Sequence, residues 1–358
     1  MTIVYLIDYN PKSNSGVMQK IHQQSSEWIK EGHKVYLVST KTVAIHDPSN
    51  NTIIYQYKIP SFKFGRLGTA FNLLISSFFL QKLLLKIDFD ILYMRYRLYM
   101  PYFQKVLKQY KVIMEINSDD AQEYQLHSML THYYNKYTRN YLLKNVDAFV
   151  AVSKELKNRF EYLKKPTIVI ANGIKTNEYE YLEIPQNQKP ILVFIGTPKQ
   201  PWHGLDKIHQ MATYFPYYTF YIIGTDGINT DNIHYFGYLD NKEASKIIEQ
   251  CDVGIGTLSL YKTGLTEASP LKTRQYLACG LPLIYAYDDT DIPSEVEFAL
   301  KLQNSENNMN YAKIETFVRK IFKRTNIRKS AREFAINILD YSKKEKHRLD
   351  FFQKIINE

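Results

Sequence analysis

The densest run of residues able to do chemistry lies between Glu267 and Pro282, EASPLKTRQYLACGLP. Ser269 suits an N-cap and Pro270 a first helical position, and Gly280 followed by Leu281-Pro282 supplies a stop, so a helix is expected between them. The start of a helix offers unpaired N–H groups and a partial positive charge, which together attract an anion. Lys272 falls in the first turn, where the helix dipole disfavours a cation, and a bound anion would offset that cost. The competing reading is a plain core helix with one solvated lysine. A second cationic group of candidates is Lys199 and His203, in the loop Thr197–Gly204 that follows an apolar strand.

The elements that must hold these residues repeat a simple pattern. Thr2–Asp8 is apolar and reads as a buried strand, a loop follows, and Val17, Ile21, Trp28 and Ile29 recur at helical spacing. Gly16 stands at the start of that helix and Gly32 at its end, before a strand over Lys34–Ser39. Strand, loop, helix, strand is a βαβ unit and predicts a parallel sheet. Further strands are expected at 91–95, 112–116, 148–152 and 167–170. The polar stretch 176–189 reads as a linker, so residues 1–175 form a first domain. The pattern restarts at 190–196 and continues through 219–224, 233–237, 253–257 and 283–286, which predicts a second domain over 190–340. The fold class is therefore α/β, with two Rossmann-like domains. In such folds ligands gather beyond the carboxyl ends of the strands. That rule draws in Arg95 and Arg97 (YMRYR) and Glu115, Asn117, Asp119, Asp120 and Glu123 (EINSDDAQE), although both sets could be solvated loop charge.

Composition narrows the function. Hydrophobic residues at 45% and charged residues at 23% describe a globular chain, and the net charge of +10 asks for an anionic partner. No nucleic-acid-binding signature is present, so nucleic acid is not expected. Cys251 and Cys279 form no ligand cluster and read as core residues of a reducing compartment. The pairs Asp88/Asp90, Asp119/Asp120 and Asp289/Asp291 lack a histidine partner or a metal-binding spacing, so no metal is expected. No secretory leader and no apolar run of spanning length is visible, which places the chain in the cytoplasm. The segment 62–86 is strongly apolar with Lys63, Arg66, Lys82 and Lys86 at its flanks. It reads either as a core helix or as a basic–aromatic surface for anionic lipid on the inner face of the membrane.

Several motifs together resemble a known family. Asn172-Gly173-Ile174 before the linker, a strand ending in Gly196 with WHG after it, the IIG strand ending at Gly224, the FG turn at Gly237 and SPLKTRQYLACGLPLI are similar to GT-B glycosyltransferases of family 4. The Gly16 loop, EGHKV, the EIN turn and DAFVAVS resemble the family's first domain. The resemblance implies two Rossmann-like domains facing a cleft, a nucleotide diphosphate sugar as donor (UDP favoured), no metal and no cofactor. It also implies transfer with retention of configuration to a glycan or lipid-linked glycan, in bacterial surface polysaccharide synthesis. Residues 341–358 would form the helix that returns to the first domain.

The same resemblance distributes roles. The family carries two glutamates at the positions of Glu267 and Gln275; the first would orient the donor sugar and the second the ribose. Glutamine there forfeits a charge-assisted hydrogen bond, a loss of about 1–2 kcal/mol. The backbone of Ser269, Pro270 and Leu271 would meet the diphosphate, reinforced by Lys272, with Gly16, Gly196, Gly224 and Gly237 allowing close approach. The basic pair that usually neutralises the leaving group is replaced by Thr197 and His203, leaving Lys199, Lys272 and a protonated or hydrogen-bonding His203 to serve. Asn117 stands where many members have a histidine near the anomeric carbon, and Arg95, Arg97 and Glu123 are the acceptor candidates. Two alternatives stay open: a catalytically weakened binding subunit of the same fold, and a nucleotide-sugar epimerase.

Overall fold

The computed structural model describes residues 1–11, 13, 15–59, 65–121, 124, 129–181, 184–307 and 309–358, without the side chains of 65–67, 69, 70 and 241. The chain divides into two compact units, Met1–Ile170 with Lys344–Glu358, and Ala171–Lys343. The stretch 176–189, read above as a linker, thus belongs to the second unit.

The first unit is built on an eight-stranded sheet in the order β4-β3-β2-β1-β5-β6-β7-β8. These strands are β1 (Thr2–Ile7), β2 (Lys34–Ser39), β3 (Ala44–Asp47), β4 (Thr52–Gln56), β5 (Ile91–Arg95), β6 (Lys111–Ile116), β7 (Ala148–Ala151) and β8 (Thr167–Val169). All pairs are parallel except β2–β3 and β3–β4. Its helices are α1 (Gly16–Lys30), α2 (Gly65–Leu84), α3 (Gln104–Gln109), α4 (Met129–Lys144) and α5 (Lys154–Phe160). Ser15 caps α1 by accepting from the Met18 N–H, and Ser153 caps α5 by accepting from Leu156. The core gathers Ile3, Tyr5, Trp28 and Tyr93 with Phe352 and Ile355. Those last two come from the final helix, whose residues from Lys344 onward belong to this unit.

The second unit has a six-stranded, wholly parallel sheet in the order β11-β10-β9-β12-β14-β16. The strands are β9 (Ile191–Ile195), β10 (Thr219–Ile223), β11 (Ile233–Tyr235), β12 (Val253–Ile255), β14 (Leu283–Tyr285) and β16 (Ala299–Lys301). A separate parallel pair joins β13 (Glu267–Ala268) to β15 (Asp288–Asp289). The helices are α6 (Leu205–Tyr214), α7 (Asn241–Ile248), α8 (Leu271–Ala278), α9 (Tyr311–Ile321) and α10 (Thr325–Phe334), and the final helix α11 (Tyr341–Asn357) belongs to this unit only up to Lys343. A full capping box between Asp240 and Glu243 starts α7. Cys251 and Cys279 are buried free thiols.

In each sheet the strand order reverses once, between β1 and β5 and between β9 and β12. Those reversals are where α/β folds open a ligand crevice. Among the described residues, no helix is long and apolar enough to cross a membrane.

Candidate functional site

At the reversal in the second unit, three glycines end neighbouring strands. The Gly196 N–H donates to Ile223 O at 3.0 Å, and the Gly224 N–H donates to Gly237 O at 2.7 Å. Gly224 has φ +91, and a Cβ there would lie 2.4 Å from the Gly196 carbonyl oxygen. A Cβ on Gly196 would meet the Phe194 ring at 2.6 Å and His203 Nε2 at 2.8 Å. Bare backbone at both positions is therefore a packing requirement, and it brings His203 against the strand end.

His203 closes a short 3-10 turn over Pro201–His203. This turn is tied to the loop after β12, because Leu258 N–H donates to His203 O at 3.2 Å and Ser259 N–H donates to Trp202 O at 3.1 Å. The imidazole is buried, and its Nδ1 lies 3.3 Å from Lys272 Nζ. With Lys272 charged, as it is beside an anion, the ammonium can only donate, so Nδ1 accepts and the proton of the neutral ring sits on Nε2. That Nε2 is buried with no hydrogen-bond partner among the described residues. Lys272 Nζ also sits 3.9 Å from the centre of the Phe194 ring. Burial, reinforced by the Lys272 charge, pushes the His203 imidazolium down to about 2, so the ring is neutral. Burial likewise pushes Lys272 well below its ordinary value. His203 and Lys272 are thus brought together beside Gly196 as a compact donor pair, and among the described residues neither has an ion-pair partner.

Lys272 is in the first turn of α8, which begins one residue later than expected. Ser269 does not cap it; Pro270, with ψ 139, occupies that place without a side-chain cap. Ser269 is engaged elsewhere. Its Oγ accepts the Asn172 N–H at 2.7 Å, and its carbonyl accepts Asn172 Nδ2 at 2.6 Å. The Asn172 carbonyl in turn accepts Arg274 Nε at 3.0 Å. Arg274 is fully buried and forms a two-pronged pair with Asp289 and a further bond to Asp291 Oδ2 at 3.0 Å. This arginine was not among the sequence candidates, yet it joins the turn at Asn172, the strand β15 and the start of α8. Asp289 and Asp291 are consumed by it. Glu267 is half-buried on β13, beside Asp288 in the strand register, and Gln275 is half-buried one helical step from Lys272. Thr197 and Lys199 are exposed, the latter at φ +61.

In the first unit, a cavity of about 190 Å³ opens beyond β1, β5 and β6, lined by Asp8, Tyr9, Arg95, Tyr96, Asn117 and Tyr124 among others. Asn117 is held firmly: its Oδ1 accepts Lys20 Nζ at 3.2 Å, and its Nδ2 donates to Glu115 Oε2 at 3.0 Å. Glu115 is wholly buried and also pairs with Lys20 at 2.9 Å and Arg348 at 3.4 Å. Burial raises its carboxyl, but Lys20, Arg348 and Arg95 outweigh this and hold it at about 2. Arg97 lies outside the cavity lining and pairs with Asp8 at 2.7 Å. Asp119 and Asp120 are paired to Arg159 and Arg139. Gly16 is the first residue of α1. Glu123 lies outside the described residues.

Residues 15–178 match the family described as Glycosyltransferase Family 4. No curated protein matches the chain significantly. Among solved structures, sucrose-phosphate synthase from Thermosynechococcus elongatus is similar with a TM-score of 0.76 at 14% identity, covering 99% of both chains. The catalytic domain of starch synthase IV from Arabidopsis thaliana, bound to ADP and acarbose, gives 0.71 at 12% identity over 100% of this chain and 99% of that one. HepE of Anabaena in complex with UDP-glucose gives 0.65 at 14% identity over 99% of this chain and 100% of that one. The family match covers residues 15–178, and the likeness to these solved structures gives the chain the GT-B architecture of glycosyltransferases.

Proposed function

We propose that this enzyme moves a sugar from a nucleotide diphosphate sugar, UDP-linked by preference, to a glycan or lipid-linked glycan, with retention of anomeric configuration. The observation that carries the reading is the convergence of Lys272 Nζ and the unpartnered His203 Nε2 beside Gly196. Both groups are donors awaiting an acceptor, and the first N–H groups of α8 have no partner inside the helix. A diphosphate is the anion whose size and charge suit such a set, and HepE, of the same fold, is solved with UDP-glucose.

Charge develops on the leaving diphosphate as the sugar–phosphate bond breaks, and donors already fixed in place stabilise it without reorganising. Lys272, the His203 Nε2–H and the α8 backbone at Leu271 supply those donors, with Lys199 able to add charge from the exposed loop. Glu267 orients the sugar hydroxyls and Gln275 the ribose. In this reading the leaving phosphate accepts the acceptor's proton, and Asn117, fixed by Lys20 and Glu115, together with Arg95, Arg97 and Glu123, serves the acceptor side. No metal is required, because the positive charge comes from the protein. The acceptor class and the chain's basic balance suit work at the cytoplasmic face of a bacterial membrane, in surface polysaccharide synthesis.

Thermal unfolding against UDP, GDP, CDP and ADP, each with and without EDTA, tests the reading. A ligand at a hundredfold excess over its Kd stabilises by about 2.7 kcal/mol. UDP is expected to give the largest shift, unaffected by EDTA. No shift with any nucleotide would overturn the donor assignment and favour a binding subunit of the same fold.

A further inference from the structure

Helix α2 has two apolar faces. Ser77, Leu80, Leu83 and Leu84 are buried against the first unit, while Phe71 and Leu74 are 50% and 39% exposed on the outer side. A helix that is apolar all round is normally buried on all sides. The edge strand β4 beside it continues the pattern, with Ile53, on the same strand face as Tyr55, 46% exposed. The two elements meet through Lys86, just beyond the end of α2, whose Nζ lies 4.4 Å from the centre of the Tyr55 ring and donates to Tyr55 Oη at 3.2 Å; within α2, Lys82 lies 4.4 Å from the Phe78 ring. Tyr57 packs on Phe79, and Phe78 on the exposed Tyr102, so the surface is continuous from the sheet edge to the residues after β5.

The sequence adds a constraint on what can cover this face. From Pro48 to Ile87 there is no aspartate or glutamate, while Lys58, Lys63, Arg66, Lys82 and Lys86 are all basic. A second copy docking symmetrically would set Lys82 and Lys86 against their own counterparts with no acid from this stretch to answer them. An anionic lipid surface answers both features, since aliphatic side chains enter the headgroup boundary, tyrosines sit at its depth and lysines meet lipid phosphate. We propose that α2 and β4 form a membrane-docking face for anionic lipid. It lies on the bilayer and does not cross it. This deepens the reading of a lipid-linked acceptor, but the binding itself needs neither donor nor acceptor.

The experiment is co-sedimentation of the full chain with phosphatidylcholine vesicles, with and without phosphatidylglycerol, at low and high salt. Binding is expected only to the anionic vesicles and should weaken with salt. Lys82→Gln and Lys86→Gln should each weaken it about fivefold, the equivalent of ~1 kcal/mol per basic residue at such a surface. Ile53→Ser and Phe71→Ser should weaken it without restoring salt resistance. Binding to neutral vesicles alone, no binding, full binding by all four variants, or a dimer that Ile53→Ser dissolves would each overturn the proposal. Nucleotide melting on the same preparations separates the two readings. A chain that shifts with UDP but ignores vesicles loses only the docking face, and one that binds vesicles but ignores nucleotides loses only the transfer reading.

Discussion

Lys272 Nζ stands 3.3 Å from His203 Nδ1, a part-buried contact between two basic side chains. Burial lowers both, and the imidazole is neutral. An incoming diphosphate raises the Lys272 pKa, so binding takes up protons wherever the free lysine is partly neutral. Nucleotide affinity should therefore fall as pH rises, and calorimetry in two buffers of different ionisation enthalpy reads the uptake directly. Lys272→Ala should lower kcat by roughly 10²–10³, the usual effect of removing a donor to developing charge. A pH-independent affinity with no buffer dependence would remove Lys272 from the diphosphate site.

Gln275 offers a gain of function. It follows Lys272 by three residues on α8, so the two share a face. If its amide meets the ribose, Gln275→Glu restores a charge-assisted bond worth about 1–2 kcal/mol, a five- to thirtyfold tighter UDP. Titration of the variant with UDP and with uridine separates a ribose effect from a phosphate effect, since both should tighten alike. Unchanged affinity for both would place the ribose elsewhere.

The sequence makes the parallel sheets legible because each strand is a short apolar run followed by a glycine or an N-cap, as at Gly196, Ser153 and Asp240. The β3–β4 pair escapes that logic. Its strands are short, its turn at Asn50-Asn51 is tight, with Asn51 at φ +55, and β4 has no buried face to impose a period. The site divides in the same way. His203, Gly196 and Lys272 stand out locally as a strand end and a helix start. Arg274 and Arg348 do not, because their roles are set by acceptors remote in sequence: Asn172 for one, Glu115 for the other. Ser269 misleads for a related reason. Its hydroxyl looks like a cap, but a partner 97 residues away claims it.

Glu115 gives the first unit an acid-sensitive anchor. Its carboxyl is held at about 2 in the fold against an unperturbed value of 4.5, because Lys20, Arg348 and Arg95 outweigh the cost of burial. A group depressed on folding contributes stability that is fully present above its unfolded pKa and is lost as pH falls toward the folded one. Urea unfolding should thus show this contribution intact above about pH 4.5 and fading toward pH 2. Lys20→Met removes one of the opposing charges and brings the folded value closer to the unfolded one, so the acid loss should be smaller and complete at a higher pH. Coincident acid profiles for the two proteins would show that Lys20 does not hold Glu115 ionised.

Arg274 is the residue whose loss should be felt at the site without touching a ligand. It is fully buried, with Asp289 and Asp291 as counter-charges and the Asn172 carbonyl and Thr273 Oγ1 as further acceptors. Removing one partner of a buried ion pair costs about 3–5 kcal/mol, so Arg274→Gln should lower the melting temperature steeply. Arg274→Lys keeps the charge but cannot make the fork, the bond to Asn172 and the bond to Asp291 together. Asn172 would then hold Ser269 less firmly, and the N–H groups at the start of α8 would be presented in a broader range of positions. The lysine variant should fold, melt modestly earlier and bind UDP more weakly, while uridine, which has no diphosphate, binds as before. Equal losses for UDP and uridine would mean that Arg274 supports the unit as a whole and not the diphosphate end of the site.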